Sequence, residues 1–160
     1  MVDRRQTRPW SSERKEVVVD LIWAIVILVL GFLAWGGQAL SWFSPQAAAR
    51  LSLVEPEDTV EDVYWADIRG EALWDLISLW ALPLAGLLLI AGHDAWAYLG
   101  LVGGGVYVYF GGRGILTRLE LQRRGFRIGD PGNVRLGLVM LGVWGLAGLI
   151  TIVAAIAALA

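Results

Sequence analysis

The sequence predicts an all-α integral membrane protein with four transmembrane helices, and three observations carry that prediction. Hydrophobic residues make up 57% of the 160-residue chain, above the usual share in soluble domains. Four long apolar runs occupy most of the chain, and about 20 apolar residues are enough for one helical crossing. Charged residues are segregated between these runs. Because no length remains for a separate soluble domain, we predict a single membrane domain over residues 1–160.

The first predicted span, residues 17–36, follows a basic segment, residues 1–16. Five Lys and Arg residues precede residue 16, which is typical of a segment at an anionic membrane surface. The apolar run is longer than the core of a signal peptide, and no small-x-small cleavage motif follows it. We therefore predict an uncleaved anchor.

Residues 37–70 form a predicted acidic loop with short amphipathic helices at the membrane interface. Ser44-Pro45 supplies the cap and first-turn proline of one helix, and Asp58 with Glu61 resembles the capping box of another. The close acidic residues of this loop suit a solvated face, because the EF-hand pattern of a calcium loop is absent. No metal site is predicted.

The second and third predicted spans, residues 73–92 and 95–112, form a hairpin around His93-Asp94. Pro83 lies near the middle of the second span, where it removes a backbone donor and predicts a kink with the Leu79 carbonyl left free. In lipid a neighbouring helix must donate to that carbonyl. The second span is therefore predicted to lie inside a helix bundle.

The third apolar run is rich in glycine, and a basic connector, residues 113–135, leads from it to the final span, residues 136–160. The distribution of Lys and Arg residues between the predicted loops does not favour one orientation of the spans in the membrane. Four crossings put the two basic clusters on opposite faces, whereas a re-entrant segment over 95–112 puts both on the cytoplasmic face. Because hydropathy identifies spans more directly than charge orients them, four spans are the main prediction and re-entry is the alternative.

Small residues at helical spacing predict helix-packing faces in the third and fourth spans. The predicted packing residues are Gly100, Gly103, Gly104, Gly105, Gly142, Gly145, Gly148, Ala147, Thr151 and Ala155. The connector supplies predicted contacts with lipid headgroups or with acidic loops of a partner. These residues are Arg113, Arg118, Arg123, Arg124 and Arg127. A nucleic-acid partner is not predicted, because no recognised motif accompanies the arginines.

No constellation of catalytic residues is apparent, so we predict that the protein is not an enzyme. The absence of cysteine excludes thiolate catalysis and iron–sulfur clusters. Asp20 and Asp75 are the candidate coupling carboxylates, because ionisable groups within spans are often functional. His93 is a weak candidate for cofactor binding, with a solvated turn histidine as the simpler interpretation.

These patterns favour an accessory or scaffold subunit that packs in a homo-oligomer or a larger membrane complex. One alternative is a small oligomeric transporter or channel that uses Asp20 or Asp75. Another is a subunit that binds a lipid or a hydrophobic cofactor such as quinone, carotenoid or chlorophyll. No cofactor is predicted as required, and the expected partners are membrane lipids and other transmembrane helices. The expected location is a prokaryotic plasma membrane.

Overall fold

Residues 10–160, whose backbone the structure describes, are mostly helical and contain no strand. In this computed structural model, side chains are described from residue 17 onward. The helices are α1 (Trp10–Phe43), α2 (Pro45–Arg50), α3 (Asp62–Ser78), α4 (Ala81–Ile90), α5 (Trp96–Arg123) and α6 (Pro131–Leu159), with a 3-10 turn at Glu57–Thr59. The predicted all-α fold is therefore confirmed. The predicted membrane contact of residues 1–16 lies outside the described side chains.

Among the described residues, three helical segments are long and apolar enough to cross a membrane: Val17–Phe43, Asp62–Ile90 and Pro131–Leu159. The middle segment combines α3 and α4. The predicted third span, residues 95–112, lies almost entirely within α5, which is continuous for 28 residues, or about 42 Å. Glycines and tyrosines lower the hydropathy of this helix. The described residues thus contain three helical segments apolar enough to span a membrane, and a fourth crossing by α5 stays a prediction.

The middle segment is interrupted between α3 and α4, one turn before Pro83. Proline has no N–H for the Leu79 carbonyl, and its ring crowds that carbonyl, so a regular helix cannot continue. The Tyr107 hydroxyl from α5 lies 3.3 Å from the Leu79 oxygen and 3.0 Å from the Gly31 oxygen, and it donates to them. Both the predicted interruption and a donor from a neighbouring helix are therefore found.

Two indole N–H groups form hydrogen bonds between helices. Trp35 of α1 donates to the Leu76 carbonyl of α3 at 2.8 Å, and Trp144 of α6 donates to the Leu30 carbonyl of α1 at 3.0 Å. Buried donors in lipid need acceptors within the protein. These bonds therefore fix α1 against two neighbours. The surrounding buried core consists of Ile27, Ala34, Leu79, Leu82, Tyr107, Phe110 and Leu141.

Helices α5 and α6 form an antiparallel pair in which their backbones touch. A Cβ atom added at Gly104 would lie 2.7 Å from the Gly148 carbonyl oxygen, and one added at Gly148 would lie 2.6 Å from the Gly104 oxygen. At Gly111 an added Cβ would lie 2.5 Å from the Leu141 oxygen. Glycine permits this approach because small residues let membrane helices come close. We call this contact the α5–α6 seam.

The acidic loop and the basic connector meet at one end of the bundle. The Glu61 N–H donates to the Arg127 carbonyl at 2.9 Å, and the two side chains form an ion pair at 3.2 Å. Beside them Asp130 caps α6 by accepting a hydrogen bond from the Gly132 N–H at 2.9 Å. A second buried cluster lies beneath these contacts and consists of Val60, Tyr64, Ile68, Ile128 and Val134. Acidic and basic regions that are far apart in sequence are thus neighbours in space.

Candidate binding groove between α3 and α5

Three carboxylates lie at four-residue intervals on α3, so they share one face of the helix. They are Asp67, Glu71 and Asp75, and we call them the α3 carboxylates. Arg113 of α5 reaches this face, with Nη2 2.6 Å from Asp67 Oδ1 and Nη1 2.6 Å from Glu71 Oε1. The first contact is a hydrogen bond, and the second is a close charge contact without hydrogen-bond alignment. One guanidinium therefore links α5 to two turns of α3.

Asp75, the third member of the group, is buried, with only 4% of its surface exposed. Its Oδ2 atom has no hydrogen-bond partner among residues 17–160. The charged groups near it are Glu71, Arg113 and Arg118. Arg113 is already engaged, and the Arg118 guanidinium lies over the ring of Tyr64, 5.9 Å from its centroid. An unpaired buried carboxylate oxygen is costly, so it calls for an explanation.

Asp75 lines a cavity of about 310 Å³ between α3 and α5, together with Glu71, Trp74, Tyr109, Phe110 and Arg113. A second cavity of about 540 Å³ is lined by Ser78, Leu101, Val102, Gly105 and Val106, and it shares Trp74 and Tyr109 with the first. We call the two cavities together the α3–α5 groove. Their volumes lie in the range of small-molecule sites in proteins, about 300–1,000 Å³.

The groove changes from polar to apolar along its length. Its polar end holds Arg113 and Glu71 beside Asp75, near the end of the bundle where the acidic loop and the connector meet. Its other end, around Gly105 and Val102, has apolar walls. Gly105 and Arg113 are eight residues apart on one helix, which corresponds to about 12 Å. The groove therefore matches a molecule with a polar head and an apolar body.

The other predicted polar candidates lie away from this groove. Asp20 is exposed on α1 and lines neither cavity. His93 is exposed in the turn between α4 and α5, where its Nδ1 accepts a hydrogen bond from the Ala95 N–H at 3.1 Å. Within the part of the chain that the structure describes, no group of three His, Cys, Asp or Glu side chains is arranged to hold a metal ion. Of the two candidate carboxylates, Asp75 lines the groove and Asp20 does not.

The predicted packing residues divide into two groups. A Cβ added at Gly103 or Gly104 would lie within 2.7 Å of a neighbouring helix, and one at Gly100 would meet side chains of α6 at 3.4 Å. Nothing lies within 4 Å of such an atom at Gly105 or Gly142. On α6 the buried members are Gly148, Ala147, Thr151 and Ala155, and at Gly145 the nearest atom is 3.9 Å away. Most of the small residues therefore serve contacts within this chain.

The arginines of the connector also find partners within the chain. Arg123 and Arg124 both pair with Glu120, at 2.9 Å and 2.6 Å, and hydrogen bonds from Arg123 and then Arg124 lower the pKa of that exposed carboxyl group. Arg127 pairs with Glu61. The side chains of Arg123, Arg124 and Arg127 nevertheless stay largely exposed, so contact with lipid headgroups remains open to them.

Sequence reasoning missed most of the groove. Glu71, Trp74 and Tyr109 were not among the predicted site residues, although Asp75, Arg113 and, as a packing residue, Gly105 were. The four-residue spacing of the α3 carboxylates was an available signal, because it predicts one shared helix face. No local sequence pattern predicts that this face of α3 packs against α5.

The chain has no match in three comparisons with known proteins, since no protein family, no curated protein and no solved structure resembles it significantly.

Proposed function

We propose that the protein is a non-enzymatic integral membrane protein that binds an amphiphilic molecule in the α3–α5 groove. The head of this molecule pairs with Asp75, and its apolar part lies along Val102 and Gly105. The expected location in a prokaryotic plasma membrane is part of this proposal.

One observation carries the proposal: a buried carboxylate oxygen without a described partner belongs to a residue that lines a ligand-sized cavity. Buried polar groups in folded proteins are nearly always satisfied. The terminal torsion of aspartate is broad and two-fold, so either oxygen of Asp75 can turn toward the cavity. A ligand that donates a hydrogen bond there would remove the cost of the unpaired oxygen.

We further propose that α5 is a fourth crossing. Its length of about 42 Å exceeds the roughly 30 Å hydrocarbon core of a bilayer. Support also comes from its antiparallel contact with α6, an apolar span, along the α5–α6 seam. In this arrangement the polar end of the groove lies at headgroup depth and its apolar end points toward the bilayer centre, as an amphiphile in that leaflet requires.

The test is purification in a mild detergent, followed by mass spectrometry of the extracted amphiphiles. The informative variant is Gly105→Leu, which fills the apolar part of the groove at a position where nothing lies within 4 Å of an added Cβ. The matched control is Gly142→Leu, an equally open glycine on α6 outside the groove. We expect the parent protein and the control to retain one amphiphile that Gly105→Leu loses by about tenfold, equivalent to about 1.4 kcal/mol.

Equal retention by the two variants, or no amphiphile enriched over the bulk lipid, would contradict the proposal. Asp75→Asn adds a second measurement at the polar end. It keeps the shape of the side chain while removing its charge, so it should weaken retention without unfolding the protein.

A second candidate function is that of a subunit in a homo-oligomer or a larger membrane complex. One exposed surface of α5 favours it. The outer face of α5 carries exposed residues at alternating intervals of four and three, the spacing of a helix-packing seam: Tyr98, Val102, Gly105, Tyr109, Gly112 and Leu116. Another helix on this stripe would cover the same groove. The two candidates separate in one experiment, because Gly105→Leu would then reduce the oligomer mass in detergent instead of amphiphile retention.

A transport role would also use Asp75. Asp20 is exposed on α1 and outside both cavities, so it is the weaker coupling candidate. Reconstituted vesicles that accumulate an amphiphilic probe only when Asp75 is intact would add transport to the proposed binding.

A further inference from the structure

We propose that the head of the bound amphiphile is a primary ammonium group that pairs with Asp75. This inference rests on the proposed binding function and adds the charge class of the ligand. The ligand is then an alkylammonium compound, either a free amine or a lipid with an ethanolamine head.

The charges around the polar end of the groove do not balance. The α3 carboxylates are three acids on one helix face, and Arg113 contacts two of them at 2.6 Å each. Arg118, the other nearby cation, lies over the Tyr64 ring and donates to the Gly114 carbonyl at 3.0 Å. Even when both arginines are counted, the three carboxylates leave one negative charge without a partner among the described side chains.

The α3 carboxylate without an ion pair is Asp75, and its Oδ2 atom has no described hydrogen-bond partner. Glu71 is one turn away on the same face, and its side chain is 8% exposed, so a second negative group lies beside Asp75 at low exposure. Like charges at this spacing repel each other. A cation entering the cavity would interact favourably with both groups, because both line the cavity and the Arg113 contact with Glu71 is through Oε1.

An ammonium head satisfies this site better than other polar heads. It carries three donors and a compact positive charge, whereas a hydroxyl group offers one donor and leaves the net charge unchanged. A head that ends in a carboxylate or a phosphate would place charge of the same sign against Glu71 and Asp75, whereas an ethanolamine head ends in the ammonium group. The apolar continuation past Trp74 and Val102 adds the requirement for an alkyl chain.

The experiment compares dodecylamine with 1-dodecanol, which have the same chain and differ in the head. Binding to the protein in phosphatidylcholine nanodiscs is followed by tryptophan fluorescence, with Trp74→Phe identifying the signal from the groove. Because a hydrogen bond between charged groups is stronger than one between neutral groups, we expect dodecylamine to bind at least about tenfold more tightly than dodecanol. Asp75→Asn should reduce this preference to about twofold, and Asp75→Glu should restore most of it.

Each outcome decides one question. If neither probe binds the parent protein, or if Gly105→Leu binds both as well as the parent does, the proposed groove function fails. If the two probes bind with equal affinity and Gly105→Leu abolishes both, the function stands and the ammonium inference is wrong. A preference for the amine that Asp75→Asn leaves unchanged also overturns the inference. Nanodiscs with added phosphatidylethanolamine distinguish the sources, because competition there identifies the lipid head as a ligand.

Discussion

Helix α5 presents two faces that differ in how closely they are covered. Toward α6, an added Cβ at Gly104 or Gly111 would lie 2.7 Å or 2.5 Å from a carbonyl oxygen. One residue farther along, at Gly105 and Gly112, nothing lies within 4 Å. The same residue type therefore serves a closed seam on one face and an open groove on the other. The role of each glycine depends on the face of the helix on which it lies.

The comparison is tested most strongly by alanine at two neighbouring positions, Gly111 and Gly112. The Cβ of Gly111→Ala would meet the backbone oxygen of Leu141 at 2.5 Å, and backbone cannot move aside as a flexible side chain can. We expect a loss of about 3 kcal/mol in the free energy of unfolding, the upper end for overpacked sites. Gly112→Ala should change it by less than about 0.5 kcal/mol or stabilise the helix slightly.

Both values are measured by denaturing titration in mixed micelles, with circular dichroism as the signal. Equal losses at the two positions would mean that the seam and the exposed face of α5 are not different environments. The pair Gly104→Ala and Gly105→Ala repeats the comparison one heptad earlier, and the same contrast is expected there.

The polar end of the groove is tested next, through Arg113→Gln. This change leaves Asp67 and Glu71 without their shared cation, and removing one partner of a buried pair costs about 3–5 kcal/mol. Because the Arg113 side chain is 30% exposed, solvent screening reduces the expected loss to about 2 kcal/mol. Unfolding in mixed micelles measures it, with Arg123→Gln as the control.

The Arg123 side chain is 77% exposed and pairs with Glu120 within one helix, so its substitution should cost no more than about 0.5 kcal/mol. A result in which both arginines cost equally little would show that Arg113 does not hold α3 against α5. The groove would then have no fixed polar end.

The sequence predicted the helical class and the interruption near Pro83, because both follow from local chemistry. Hydropathy and the missing proline N–H are properties of single residues. The donor to the Leu79 carbonyl is Tyr107, 28 positions away, and no local pattern identifies it. The α5–α6 seam could not be predicted from local sequence either. Helical spacing groups small residues by face, but it does not tell which face meets which helix.

The helix boundary in the middle apolar segment differs from the one that the sequence indicates. The sequence indicated a separate interfacial helix and then a span over 73–92, whereas α3 runs unbroken from Asp62 to Ser78. Charged residues lower hydropathy, so the hydropathy pattern predicts a boundary at these positions. Asp67 and Glu71 instead continue the helix and pair with Arg113. Charge that is matched by another helix cannot be distinguished from charge in water by sequence alone.

The smallest predicted effect concerns Tyr107 of α5, whose hydroxyl contacts the interrupted segment at Leu79. Tyr107→Phe removes the hydroxyl that donates to the Leu79 and Gly31 carbonyls, and hydrogen bonds between membrane helices contribute about 0.6–1.7 kcal/mol. We expect a loss of about 1 kcal/mol in mixed-micelle unfolding. Tyr98→Phe, on an exposed side chain, should have no measurable effect.

A double-mutant cycle with Pro83→Ala identifies which carbonyl matters. Alanine at position 83 supplies the N–H that proline lacks, so the Leu79 carbonyl regains a donor within its own helix. Tyr107→Phe should then cost less in the Pro83→Ala background than in the parent chain. If the cost is the same in both backgrounds, the Tyr107 hydroxyl acts through Gly31 alone. The interruption would then be stabilised by packing, because the donor from α5 would contribute nothing to it.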